Sequence, residues 1–374
     1  FIIVATVAVG FFVYTRWHLS AGGALTAGYL VILALLGEWL VILAIAVVAG
    51  LSAYLVRTWL LRYLALPRVW IFVALIAMSS LTMSALTLIS RWVGPIALPG
   101  GVEFVLLVGS FVTPGLIAYD YVHQGPLPTL VGLLSTLAGT LLIVVPVVWL
   151  ADVLQPESTT PVVFGFGEIP AGLYWLATLA CVFFSGALRL SFGVRTGGFV
   201  GALFITQLLS LAAFVTIFTA AIAAHLVTRL IRSRVTFSPR QEFHVAMLLG
   251  MMAAWTGLYW ASVLDWVPAL AANAYALQPL LAVGLLAADM TRVNSSIATT
   301  LGGTSLTVGF IVLVMYAATG SGLIMWITTP LLLISVPLVL LIPGAVALRR
   351  SWRDSVATGR QVAQSVTSLD DPDW

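Results

Sequence analysis

Apolar residues run along this chain in long continuous stretches, broken by short polar clusters, and the stretches recur at the length of a membrane crossing. A helix needs about 20 apolar residues to cover the hydrocarbon layer. On that measure spans are predicted at 1–15, 19–36, 39–60, 69–90, 102–119 and 129–151. A second set follows at 170–188, 196–212, 213–231, 243–263, 270–288 and 297–319, and one more span at 322–348. No stretch alternates over ten residues as a membrane β-barrel strand does. The expected fold is all-α, a polytopic transmembrane helical bundle of about thirteen spans. The second span of each set is weak: Leu19–Leu36 contains Gly22 and Gly23, its counterpart contains Gly197 and Gly198, and either could re-enter instead of crossing.

Charge placement favours crossing. With every span crossing, Arg57, Arg62 and Arg68, then Arg229, Arg232, Arg234 and Arg240, and the arginines after the last span all fall on one side, with Arg16, Arg189, Arg195 and Arg292. Only Arg91 falls opposite. Positive loops mark the cytoplasm, so the N-terminus is expected outside and the tail inside. Glu38, Glu103, Asp152, Glu157, Glu168 and Asp265 then lie outside. Tryptophans near span ends, Trp39 and Trp149 among them, fit an interfacial belt. The opening run shows no signal-peptide cleavage site and reads as a spanning helix with a clipped start.

Composition narrows the chemistry. Hydrophobic residues make up 61% and charged residues 8%, against about a quarter charged in soluble domains. All 16 basic residues are arginine, which removes the P-loop lysine, Schiff-base chemistry and a lysine base. Cys181 stands alone, and the four histidines at 18, 123, 225 and 244 are scattered, so no metal site is expected. His225 and His244 read as helix-packing donors. No catalytic residue and no nucleic-acid partner is expected in this chain.

Three blocks recur in order. Ala21-Gly22-Gly23 matches Thr196-Gly197-Gly198; Pro67-Arg68 matches Pro239-Arg240; Gly115-Leu116, Ala118 and Asp120 match Gly284-Leu285, Ala287 and Asp289. The offsets drift from 175 through 172 to 169 residues. This predicts two tandem six-helix repeats, 1–152 and 169–320, around an outside linker at 153–168. An extra helix at 321–348 and a cytoplasmic tail at 349–374 complete the chain. An even number of spans per repeat makes the copies parallel, with their twofold axis along the membrane normal.

The third block opens the stretch Pro114–Thr129, where the fifth span is expected to break or kink at Pro114-Gly115 and to place Asp120, His123, Gln124 and Gly125 at the membrane surface. Asp120 and Asp289 read as solvated carboxylates there, paired with Arg292 or His123. The glycines 22, 23, 197, 198 and 284 read as close-packing or half-helix positions. The arginines at 57–68 and 229–240 set topology and bind lipid headgroups, or receive a polyanion or an acidic partner.

At these residues the chain resembles the PgsC/CapC family, the small membrane subunit of bacterial poly-γ-glutamate capsule synthesis. The family's glycine-rich entry and following Gly-Tyr-Leu are similar to Ser20–Gly23 and Gly28-Tyr29-Leu30. Its Pro-Gly-Leu-Ile-Ala segment and Gln-Gly turn are similar to Pro114–Ala118 and Gln124–Thr129. The second half matches loosely, and Tyr119-Asp120 stands where the family has Asn. The resemblance implies a subunit that docks a cytoplasmic PgsB/CapB-like amide ligase, which would use ATP and a divalent metal, alongside a PgsA/CapA-like accessory protein, and that helps conduct or stabilise the polyanionic polymer. The rival readings are a secondary transporter and a scaffold for a transglutaminase-like envelope protein.

Overall fold

The computed structural model describes residues 2–20, 22, 25–35, 37–61, 68–93, 103–154, 174–206, 211–263, 277–292 and 296–319. Its regular elements are all helices. In chain order they are α1 (Ile2–Trp17), α2 (Thr26–Leu35), α3 (Trp39–Leu55, continued by a π turn, Val56–Leu60) and α4 (Arg68–Val93). Next come α5 (Glu103–Gln124), α6 (Pro126–Leu154), α7 (Tyr174–Phe192) and α8 (Gly198–Ile205). The last are α9 (Leu211–Arg232), α10 (Pro239–Val263), α11 (Leu277–Thr291) and α12 (Ile297–Thr319). Gly23, Arg62, the expected linker past Leu154, the thirteenth span and the tail lie outside the described residues.

Two expectations about helix ends are corrected. First, α5 does not break at Pro114-Gly115; it runs unbroken to Gln124. The lost backbone donor is tolerated because α5 is pressed against α4: a Cβ on Gly115 would lie 2.7 Å from the Ile76 Cα. The chain breaks instead at Gly125, whose φ of +89° ends α5, and Pro126 then starts α6, where a missing N–H costs nothing. Second, the weak spans are shorter than their apolar runs. Helix α2 has 10 residues and α8 has 8, each entered through a glycine with φ +74°, Gly22 and Gly197.

Helix packing recurs with a period of six helices. Helix α5 lies on α4, α3, α2 and α6; α11 lies on α10, α9, α8 and α12. Helix α1 contacts α2 and α6, and α7 contacts α8 and α12. The two sets join by exchange, α1 against α10 and α7 against α4.

Among the described residues, four helices are long and apolar enough to cross a membrane: Trp39–Leu60, Pro126–Val147, Phe214–Arg232 and Ile297–Met315. These are α3 and α6 with their counterparts α9 and α12. Their outward faces are apolar, with Leu40, Leu43 and Val47 exposed on α3 and Leu134 and Leu142 on α6. Such faces belong in lipid, where helices satisfy their own backbone groups. The molecule is a multi-pass membrane protein.

Tyr14, Ser20, Arg68, Tyr119, Arg189, Arg240 and Arg292 line two adjoining cavities. So α1, α5, α7 and α11 finish at the same end of the bundle at which α4 and α10 begin. Since α1 stops and α4 starts there, α2 leads away from that end and α3 returns to it.

Candidate functional site

Both glycine breaks are held by a carboxylate from the long helix beside them. The Gly22 N–H donates to Asp120 Oδ2 at 2.8 Å, and the Ser20 hydroxyl donates to the same oxygen. The Gly198 N–H donates to Asp289 Oδ2 at 2.6 Å. A break frees backbone donors, and an anion facing them is the natural cap. The packing beneath recurs too: a Cβ on Gly22 would meet Ile117 at 3.0 Å, and one on Gly197 would meet Leu286 at 2.9 Å. Those partners stand three residues before Asp120 and Asp289. The register differs by one residue, because the Asp289 cap falls on the second glycine of its pair.

The expectation of solvated aspartates is thereby overturned. Asp120 is 4% exposed and Asp289 is 7% exposed, because each turns inward to a freed amide. Asp120 does not pair with His123, which is exposed and whose Nδ1 meets the Tyr119 carbonyl instead. Pairing with Arg292 holds for Asp289: Arg292 Nε lies 3.9 Å and Arg195 Nη1 3.7 Å from Asp289 Oδ1. So beside its glycine amide the carboxylate at the first break meets a neutral hydroxyl, and the one at the second meets two guanidiniums. In the first, Gln124 clamps Ser20 from both sides, accepting from its N–H at 3.2 Å and donating to its carbonyl at 2.7 Å. Burial pushes the pKa of Arg195 and Arg292 down from the ordinary arginine range, and the Asp289 carboxylate offsets part of this; both stay charged.

Between the two helix sets lies a cavity of about 490 Å³, continuous in its lining with a smaller one of about 200 Å³. The larger is lined by Arg68 from α4, Arg189 at the end of α7, Arg195 before α8, Arg240 from α10 and Arg292 after α11. Local sequence places them. Ser238 and Gln241 close a reciprocal cap, Gln241 N–H to Ser238 Oγ at 3.4 Å and Ser238 N–H to Gln241 Oε1 at 2.9 Å, so Arg240 falls in the first turn of α10. Its guanidinium lies 5.2 Å from the Tyr14 ring centroid, and that of Arg292 lies 5.0 Å from the Phe243 ring centroid. His244 stacks on Tyr14, with ring centroids 6.2 Å apart, and meets the Arg240 carbonyl through Nδ1.

Of the predicted arginines, Arg68 and Arg240 enter the cavity. Arg57, Arg229 and Arg234 are exposed outside it. Arg232 is committed to Glu242, with Nη1 2.9 Å from Oε1. Gly284 packs on α10, where a Cβ would meet Met247 at 3.1 Å. Arg189 and Arg195 enter the sequence reading only through the side of the membrane on which they fall; the signal that could have placed them here is that they precede the very break that Asp289 caps. Gly132 and Gly303 were not singled out. A Cβ on Gly132 would meet the Ser20 carbonyl at 2.7 Å and one on Gly303 the Arg195 carbonyl at 2.9 Å, the same approach in both sets. Among the described residues no three His, Cys, Asp or Glu side chains gather as a metal site.

A family model described as capsule biosynthesis CapC matches residues 5–130 and 180–301, about two thirds of the chain in two regions. No curated protein and no solved structure matches the chain.

Proposed function

Because the chain belongs to the capsule biosynthesis CapC family, we propose that it is the integral membrane subunit of a complex that makes and exports a poly-γ-glutamate-type polymer. In this reading the chain is a tandem duplication of the family unit, its arginine-lined end faces the cytoplasm, and bond formation belongs to an ATP-dependent amide ligase docked there. An anchored accessory protein completes the complex. The observation that carries the reading is the gathering of guanidinium groups at one end of a duplicated bundle, some outward and some around a cavity between the halves. Guanidinium forks match carboxylates in bidentate geometry, and a cationic mouth concentrates anions.

The outward arginines, Arg57, Arg229 and Arg234, are the proposed docking face. The test is affinity capture of the tagged chain in mild detergent, before and after replacing these three with Gln. Co-purifying ligase and surface polymer should both fall, with membrane insertion unchanged. Undiminished ligase and polymer would remove the docking face, and a transglutaminase-like companion in place of the ligase would replace the capsule reading by the scaffold one.

The capped breaks at the entries to α2 and α8 favour a second reading, a secondary transporter, since transporters place sites at interrupted helices in both repeats. Uptake of glutamate oligomers by proteoliposomes holding this chain alone would support it over the ligase subunit.

A further inference from the structure

The cavity between the two helix sets holds more positive charge than its own acids neutralise. Five guanidiniums line it, and Asp289 is the one carboxylate among the described lining residues. Like charges confined in a space of low dielectric repel until a counter-charge arrives. Three of the five are nevertheless fixed in place. Arg240 lies over Tyr14 and Arg292 over Phe243, while Arg195 is drawn toward Asp289 at 3.7 Å. Cations held by aromatic faces keep their N–H forks available for an anion.

One donor is left over. The Nε of Arg292 is buried and has no hydrogen-bond partner among the described residues, because Asp289 Oδ1 stands 3.9 Å away, beyond hydrogen-bond reach. Buried donors are nearly always paired, so the site is unfinished. Between the guanidiniums the walls are apolar, including Leu25, Phe72, Leu116 and Leu285. A free inorganic anion has no use for such walls. An anion carried on a short aliphatic chain does.

We propose that this cavity is a binding site for an acidic oligomer carrying at least two carboxylates on an aliphatic backbone, one carboxylate held by Arg195 and Arg292 and another by Arg68 and Arg240. Its identification with a γ-linked glutamyl chain rests on the capsule reading; the multivalent carboxylate chemistry does not. The first pair belongs wholly to the second half, while the other joins Arg68 of the first half to Arg240 of the second, so a bound oligomer bridges the units. Asp289 stays in place as the cap of α8 and orients the Arg195–Arg292 pair. Phosphate-bearing groups, free or on lipid, share the charge but lack the repeated aliphatic spacing.

The test uses the full chain in nanodiscs of phosphatidylcholine, without ligase, and calorimetric titration with γ-linked glutamate oligomers of one, two, four and eight residues. Affinity should rise at least tenfold from monomer to tetramer and fall as salt is raised. Arg195→Gln with Arg292→Gln should weaken tetramer binding about tenfold or more. Arg68→Gln, an exposed residue at the start of α4, keeps the test decisive if the buried pair cannot be replaced without misfolding, and should also weaken it severalfold. Arg16→Gln, outside the cavity, should leave it unchanged. Monomer binding as tightly as tetramer, or Arg16→Gln weakening it as much as Arg68→Gln, would overturn the proposal. So would displacement of tetramer by equimolar pyrophosphate or by phosphatidylglycerol in the disc. Because no ligase is present, a negative result here leaves capture of the ligase by the docking face standing.

Discussion

Asp120 and Asp289 occupy matching places and do unequal work. Each accepts from a glycine amide, but the other hydrogen bond to Asp120 comes from the Ser20 hydroxyl, while Asp289 stands between Arg195 and Arg292. Asparagine keeps a carbonyl oxygen for the amide and removes the charge. At Asp120 that exchanges charge-assisted bonds for neutral ones, a loss of about 1 kcal/mol. At Asp289 it also strands two half-buried guanidiniums, which raises the loss to roughly 2 kcal/mol once the partial exposure of Arg292 is allowed for. Thermal unfolding in detergent, followed by tryptophan fluorescence, should rank Asp289→Asn below Asp120→Asn. The reverse order would mean that the arginines do not lean on Asp289. The sequence showed both aspartates and their equivalence, yet not their burial. An aspartate near the end of an apolar run is written the same way whether it meets water or a freed amide nearly one hundred residues upstream.

At the scale of the element, apolar run length located the described helices, because a lipid-crossing helix must be apolar along most of its length. It overran α2, where the apolar character continues but Gly22 at φ +74° leaves the helical region, and α8, which ends at Ile205. It also placed the break of α5 too early. Proline propensity describes an isolated helix, and here the packing of Gly115 on Ile76 and Ser79 decides. That packing predicts a contrast. Gly115→Ala forces a methyl into the α4 backbone and should cost about 1–3 kcal/mol. Gly50→Ala, where a Cβ meets nothing within 4 Å, should be neutral or stabilise α3 by up to about 1 kcal/mol. Pro114→Ala restores a backbone donor to a helix that is already continuous. It should leave insertion and surface polymer at wild-type levels, whereas loss of polymer on this change would reveal a working hinge. Arg189 and Arg195 were illegible as cavity residues, since their meeting with Arg68 and Arg240 depends on α7 lying against α4.

At the scale of the whole molecule, helix lengths decide how α2 completes its passage. Helix α3 with its π turn covers 22 residues, Trp39–Leu60, about 33 Å at 1.5 Å per residue, close to the thickness of the hydrocarbon layer. Helix α2, with 10 residues, covers only about 15 Å. Part of the remainder can be supplied by the described residues ahead of it, 18–20, 22 and 25, at up to about 3.3 Å per extended residue. Irregular backbone is tolerated at membrane depth only where protein satisfies it. Two of the described residues ahead of α2 meet that condition: Gly22 N–H is held by Asp120, and Ser20 N–H and carbonyl by Gln124. If the passage is completed this way, Glu38 emerges opposite the arginine-lined end. In a Cys181→Ala background, Glu38→Cys should then react with a membrane-impermeant maleimide from outside intact cells. Ser233→Cys, in the exposed turn between α9 and α10, should react only after the membrane is opened. Labelling of both from one face would turn α2 back on itself, and the arginine end would lose its claim to face a cytoplasmic enzyme.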